Sequence, residues 1–204
     1  MKAIRIALPL LMTVFLAGGV MASEPERYDL AALRGTQIAS ADGDLNGDTL
    51  SDLVIAAQPT DSARVLAIYF RCVTGVYQCI GQYEQLLPPP DPEGNIQDEI
   101  SLENTKRRVL KVKLHQFASA GSWGVTNDAD LFRYQGLGFY RIGSERECFM
   151  RNTGEITHVS RNYLTHKEKR VTSNEFDRDI PRHETWSGIP KAPLQHIADC
   201  HLGD

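Results

Sequence analysis

The chain predicts a mainly β fold, with antiparallel sheets in a sandwich or barrel-like arrangement and little helix. Three observations carry that expectation. Short runs rich in β-branched and aromatic residues recur along the 204 residues, bounded by Gly, Asn, Asp and Pro. Residues 108–115, Arg-Val-Leu-Lys-Val-Lys-Leu-His, alternate apolar with polar or basic side chains at the period of a half-exposed strand. Helical periodicity is confined to a short stretch at residues 27–33 and another near the C-terminus.

Taken in order, residues 1–22 open with Lys2 and Arg5, run through an apolar stretch and close on Val20-Met21-Ala22. That is the pattern of a secretory signal removed on export. Its apolar part is too short for a permanent span, and no Cys follows to take a lipid. The expected mature protein starts near Ser23, is soluble in the periplasm without a membrane span, and forms one β-rich domain over 23–204. Loss of Lys2 and Arg5 leaves it two charges more acidic than the −4 of the full chain. That balance argues against nucleic acid or an anionic membrane as partner, which require clustered Lys and Arg. The one basic run, Lys106-Arg107-Arg108, reads as a solvated loop before a strand.

Residues 42–57 read Asp-Gly-Asp-Leu-Asn-Gly-Asp-Thr-Leu-Ser-Asp-Leu-Val-Ile-Ala-Ala. Oxygen-bearing side chains alternate and then give way to an apolar run that reads as a buried strand. A hard cation such as Ca²⁺ takes six to eight oxygens, and a tight loop supplies them from alternate residues. The frame that fits best places Asp44, Asn46, Asp48 and Asp52 as side-chain ligands and Leu50 as a backbone-carbonyl ligand, with Asp42 one step outside. The alternative is an Asx-rich turn without metal. These residues resemble the Asp-x-Asn-x-Asp-Gly-x-x-Asp-Leu-Val calcium loop of FG-GAP and integrin-type repeats and of many bacterial periplasmic proteins. Where that family has Gly after the third ligand, this chain has Thr49, a β-branched residue for which a positive φ is costly.

Two β-rich runs follow, at residues 52–57 and 63–70. Cys72 and Cys79 flank a short loop after them, and with Cys148 and Cys200 they make an even count in a chain expected to be exported, which reads as disulfides. The local pair Cys72–Cys79 is preferred, which leaves Cys148 with Cys200. Three connectivities are open in principle, and zinc is a weak alternative without a Cys-x-x-Cys pair. Residues 87–94, Leu-Pro-Pro-Pro-Asp-Pro-Glu-Gly, form a stiff polyproline-like connection that cannot lie in a central strand. It separates the cation-loop region from a longer array of strands. Residues 131–134 and 138–142 read as a hairpin across Gln135-Gly136-Leu137, and residues 155–160 and 170–173 continue the series. The Asp-rich loop occurs once, which argues against a propeller of such units.

Within residues 131–167, the segments Phe-Arg-Tyr-Gln-Gly-Leu-Gly-Phe-Tyr-Arg-Ile-Gly, Cys-Phe-Met-Arg-Asn-Thr-Gly-Glu and Ser-Arg-Asn-Tyr-Leu-Thr-His-Lys carry a second resemblance. They resemble periplasmic proteins that share the calcium loop. These include immunity proteins against cell-wall-degrading effectors of an antibacterial type IV secretion system, akin to periplasmic inhibitors of invertebrate-type lysozyme. The resemblance spans roughly residues 35–171. In that group a Tyr-x-x-x-Thr-Gly loop enters the glycosidase cleft. The matching residues here are Phe149 to Gly154, with Phe149 in place of Tyr.

What the resemblance implies is a periplasmic protein that binds and inhibits a peptidoglycan hydrolase or lysozyme-like effector. A glycosidase cleft is lined by two carboxylates, so a plug needs donors on a rigid turn. The resemblance gives Thr153 the hydroxyl, Gly154 the sharp turn and Arg151 a pairing with a carboxylate. An ordinary β-hairpin turn is the competing reading of Asn-Thr-Gly, and Asn162, Tyr163 and Thr165 in the next turn carry the same ambiguity.

No nucleophile elbow, His-Glu-x-x-His zinc motif or Gly-rich phosphate loop is present in the sequence. The six histidines are scattered, and acidic pairs such as Asp98-Glu99 and Glu145 with Glu147 are not separable from solvated turns. The chain is therefore not expected to be an enzyme. Two functions remain: an inhibitor or immunity protein, and a calcium-stabilised envelope binding or structural module with another partner.

Overall fold

The computed structural model of the protein describes residues 28–118 and 121–203; the expected signal segment and the start of the mature chain lie outside them. A short helix α1 (Leu30–Gly35) is capped by Asp29, whose carboxylate accepts the Ala32 amide at 2.6 Å. Four strands follow, β1 (Gln37–Gly43), β2 (Asp52–Thr60), β3 (Ala63–Arg71) and β4 (Tyr77–Tyr83). Seven more come after the proline-rich connection: β5 (Ile96–Thr105), β6 (Val109–Ala118), β7 (Gly124–Tyr134), β8 (Phe139–Met150), β9 (Glu155–Asn162), β10 (Lys167–Asn174) and β11 (His183–Gly188). A 3₁₀ turn at Ile197–Asp199 supplies the expected helical piece near the C-terminus.

The strands form two antiparallel sheets in a sandwich-like arrangement, one of four strands in the order β1-β2-β3-β4 and one of seven in the order β11-β10-β9-β8-β7-β6-β5. The proline-rich stretch is the crossing between them, because the ring nitrogen of proline has no N–H to give to a ladder. Among the described residues no helix is long and apolar enough to cross a membrane.

The small sheet is buried on both faces. Val54, Ala56, Leu66 and Ile68 face the large sheet and pack with Leu110, Val112, Leu114, Phe132 and Phe139. Leu53, Ile55, Ala57, Val65 and Ala67 face the other way and pack with Leu33 of α1. That double burial explains why β2 and β3 are continuous apolar runs rather than alternating ones. The large sheet alternates, with Leu110, Val112 and Leu114 inward and Lys111, Lys113 and His115 outward on β6. A nearly buried ion pair locks the sheets together: Arg64 on β3 holds both Asp98 oxygens on β5 at 2.6 and 2.8 Å and also donates to the Pro88 carbonyl. Asp98 is thus a structural partner of Arg64.

The expected disulfides are not formed: none of the four cysteines is bonded to another. Strand register gives the reason. Cys79 sits opposite Tyr69, whereas the Cys72 amide donates to Val76. The two are offset by three residues, ~10 Å along a strand, beyond the ~7 Å limit for a bridge. Cys148 lies on β8 opposite Thr126 and Thr157, eight residues or ~26 Å from Tyr140, where His196 joins the sheet. The four residues from His196 to Cys200 reach back at most ~14 Å, and Cys200 ends in the core instead. Burial pushes its thiol up to about 11.

Candidate functional site

The acidic loop, residues 44–51, closes the β1–β2 hairpin between Gly43 and Asp52, which face each other in register. Its side chains cap its own backbone. Asp44 accepts from the Gly47 and Thr49 amides at 2.5 and 3.3 Å, Asn46 from Asp48 at 2.9 Å, and Asp48 from Leu50 at 2.8 Å. Asp52 is fully buried and accepts from the Leu45 amide at 2.8 Å and the Arg71 amide at 3.0 Å, so it ties the loop to the end of β3. Thr49 takes φ 72°, in the left-handed region that glycine adopts most readily. Such strain in a β-branched residue persists only where the surroundings hold it.

Charge is concentrated there. Asp44, Asp48 and Asp52 bring three carboxylates to this end of the hairpin, and Arg108 pairs with Asp44, its Nε 3.4 Å away and its half-exposed guanidinium over Gly47. Burial raises the Asp52 carboxyl above its ordinary value, and the charge of Asp48 adds to the rise. The ligand types are all hard oxygens, which suits Ca²⁺ rather than a thiolate- or imidazole-seeking metal, and the excess negative charge fits a cation. Among the described residues no three Asp, Glu, His or Cys side chains converge as a ready-made metal cluster. The oxygens of the loop point first to its own amides, and a cation would take their remaining lone pairs.

The β8–β9 turn stands at the other end of the large sheet, nine residues along β6 or ~30 Å from the Arg108 end. It is braced from outside. The Arg151 guanidinium donates to the Ala118 and Ser122 carbonyls at 3.0 Å each and to the Trp123 carbonyl at 3.3 Å. It also lies 4.1 Å from the Phe117 ring centre and 5.7 Å from that of Trp123. Gly154 has φ 75°, and its amide donates to Met150 at 2.7 Å. A Cβ there would come within 2.7 Å of Phe176 and Asn174. Asn174 donates to the Thr153 carbonyl, while the exposed Thr153 hydroxyl bonds with Glu155. Phe149 stacks edge-on against Phe176 at 6.1 Å.

Sequence reasoning missed the companions of this turn. Trp123 and Phe176 are about 60 % exposed; Trp123 and Phe117 both lie against the Arg151 guanidinium, and Phe176 packs on Phe149. Neither residue carries a periodic signal, because each sits in an irregular connection brought there by the pairing of β7, β8, β9 and β10.

The next turn, at the opposite end again, places Asn162 as acceptor from Leu164 and Thr165 at 3.0 Å each, with the Tyr163 hydroxyl 2.9 Å from Ser144. Glu145 pairs with Lys111 at 2.6 Å, and Glu147 accepts from Asn127 on the outer face of the sheet. Comparison with protein-family models, with curated proteins and with solved structures finds no match to this chain.

Proposed function

We propose that the chain is an exported periplasmic protein that binds and inhibits a peptidoglycan-cleaving, lysozyme-like enzyme, as an immunity protein or lysozyme inhibitor, and that it holds one Ca²⁺ in the loop of Asp44, Asn46, Asp48, Leu50 and Asp52. The observation that carries this reading is the surface around the β8–β9 turn. Exposed Trp123 and Phe176 flank a turn whose backbone is fixed by Arg151 and Asn174. Protein interfaces concentrate their energy in such rigid aromatic and arginine anchors. Thr153 and Asn152 remain exposed at the tip, so the turn offers a hydroxyl and an amide beyond the aromatic flanks.

Within that reading Arg151 shapes the turn rather than reaching a catalytic carboxylate, since its donors rest on three backbone carbonyls. The same self-contained bonding favours a second reading, a calcium-stabilised envelope module with a different partner. Inhibition of a muramidase encoded beside this protein separates the two. Trp123→Ala, Thr153→Ala and Phe176→Ala are each expected to raise the inhibition constant by about tenfold or more, worth ~1.4 kcal/mol, with the melting temperature held. Inhibition unchanged in all three moves recognition to another surface, and a parent protein that inhibits no such enzyme leaves the envelope module as the better account.

A further inference from the structure

The large sheet is wider than the small one, and the C-terminal chain crosses its uncovered part. From the end of β11 at the sheet edge, residues 189–195 return past the β9–β10 turn to β8. The segment is pinned at both ends: the Ile189 amide donates to the His166 carbonyl at 3.0 Å, and the Arg141 amide donates to the Gln195 carbonyl at 2.9 Å. Pro190 and Pro193 stiffen what lies between. Beneath this arch is a cavity of about 450 Å³, within the roughly 300–1,000 Å³ range of small-molecule sites.

Its floor and roof differ. Arg141, Arg161, Tyr163 and His166 come from β8, β9 and the turn that follows, while Pro190, Pro193 and Leu194 come from the arch. No carboxylate lines the cavity. Asp130, which pairs with Arg141 at 3.4 Å, and Glu168, which holds Arg161 through Nε at 2.8 Å, stand behind the guanidinium groups. They fix the arginines without filling the cavity, and the Glu168 contact leaves the terminal nitrogens of Arg161 for another acceptor. The Tyr163 hydroxyl bonds to Ser144, and its ring lies 5.4 Å from the Arg141 guanidinium carbon. The whole is a pre-set cationic floor under an apolar roof.

We propose that this cavity binds a small organic carboxylate, its carboxyl group on Arg161 and its apolar body against Pro190, Pro193 and Leu194. Guanidinium recognises carboxylate through paired charge-assisted hydrogen bonds, and the apolar roof excludes a bare inorganic anion as the preferred guest. The site is ~30 Å from the β8–β9 turn along β8 and does not depend on the partner proposed for that turn.

The test is a titration of the full chain with N-acetylleucine, followed by amide NMR shifts, with N-acetylleucine amide and inorganic phosphate as comparison probes. Saturable shifts confined to residues 141, 161–166 and 189–195, with the acid binding about tenfold or more tighter than the amide, are the expected result. Arg161→Gln should weaken the acid by about tenfold or more with the spectrum otherwise retained, because Glu168 keeps a second cation, Arg170, at 3.7 Å. Ala192→Trp, on the exposed rim of the arch, should block binding without touching the arginines. Equal affinity for acid and amide, phosphate binding as tightly as the acid, an unaffected Arg161→Gln, or no saturable shift in these residues would each overturn the proposal.

Discussion

The β1–β2 loop and the β8–β9 turn are both tight strand connections built on a left-handed residue, Thr49 at φ 72° and Gly154 at φ 75°, yet they are held by opposite means. Most of the loop's bonds are local, from acidic side chains to amides two to seven residues away, and its long-range contacts are few: Asp52 to Arg71 and Asp44 to Arg108. The turn takes its bracing from Arg151 and Asn174, whose partners lie 21 to 33 residues away in sequence. One is an acidic loop bonded mostly within itself; the other is an aromatic and cationic turn braced by distant neighbours. Similar backbone geometry is thus held by local bonds in one connection and by distant ones in the other.

The strongest test of that contrast is Asp52→Ala. It leaves the buried Leu45 amide without an acceptor, at about 1–3 kcal/mol, and removes the bond to the amide of the exposed Arg71, worth about 1 kcal/mol, so urea unfolding should show a loss of about 2–4 kcal/mol at unchanged m-value. A loss below that of Arg151→Ala would break the claim that the loop is anchored chiefly through Asp52.

Calcium sharpens the same comparison. If the loop binds Ca²⁺ in the folded state alone, a hundredfold excess over Kd adds about 2.7 kcal/mol, and chelation should remove it in the parent while sparing a protein already altered at Asp44. The pH dependence has a definite sign. The Asp52 pKa is raised in the folded state above 3.8, so the folded protein binds the proton more tightly, and in the metal-free protein this group's contribution to stability falls as pH rises through that window. As pH rises from 3.8 through the raised folded-state value, metal-free parent should therefore lose stability relative to Asp52→Asn, and added Ca²⁺ should reverse the trend, since the metal competes with the proton. Parallel pH curves with and without metal would count against both the site and its titration.

Exchanging the two left-handed residues comes next in size. Gly154→Ala introduces a strained φ and a Cβ 2.6 Å from Phe176, an expected loss of about 2 kcal/mol. Thr49→Gly relieves strain at the same φ, an expected gain of up to ~1 kcal/mol after the added chain entropy of Gly. Thermal melts of the pair should move in opposite directions; a shared direction would mean that the two turns do not hold φ in the same way.

The smallest effect is chemical. In the folded protein at about pH 8 the Cys200 thiol, pushed up to about 11 by burial, should resist iodoacetamide, whereas partly exposed Cys72 beside the β3–β4 turn should react. Mass mapping of non-reduced peptides should recover no disulfide-linked pair, and a Cys72–Cys79 bridge in that map would overturn the strand register at β4.

Much of this was written in the sequence. The mainly β character, the short helix near residues 27–33, the hairpin around Gln135-Gly136-Leu137 and the change of sheet at the prolines all follow from periodicity and turn chemistry, which act over a few residues. The position of the acidic loop ahead of a buried strand was legible for the same reason, whereas the left-handed backbone of Thr49 was not, because a β-branched residue disfavours it. The strands β5 and β11 were not, since polar side chains on both faces leave no clean alternation, as in the fully exposed His183–Gly188. The absence of disulfides, the Arg64–Asp98 lock, the anchoring of Arg151 and the arch over Arg141 and Arg161 were decided by tertiary structure alone. Each depends on the register of strands or on chain crossings between residues far apart in sequence, and a one-residue change in register would place every one of those side chains on the other face.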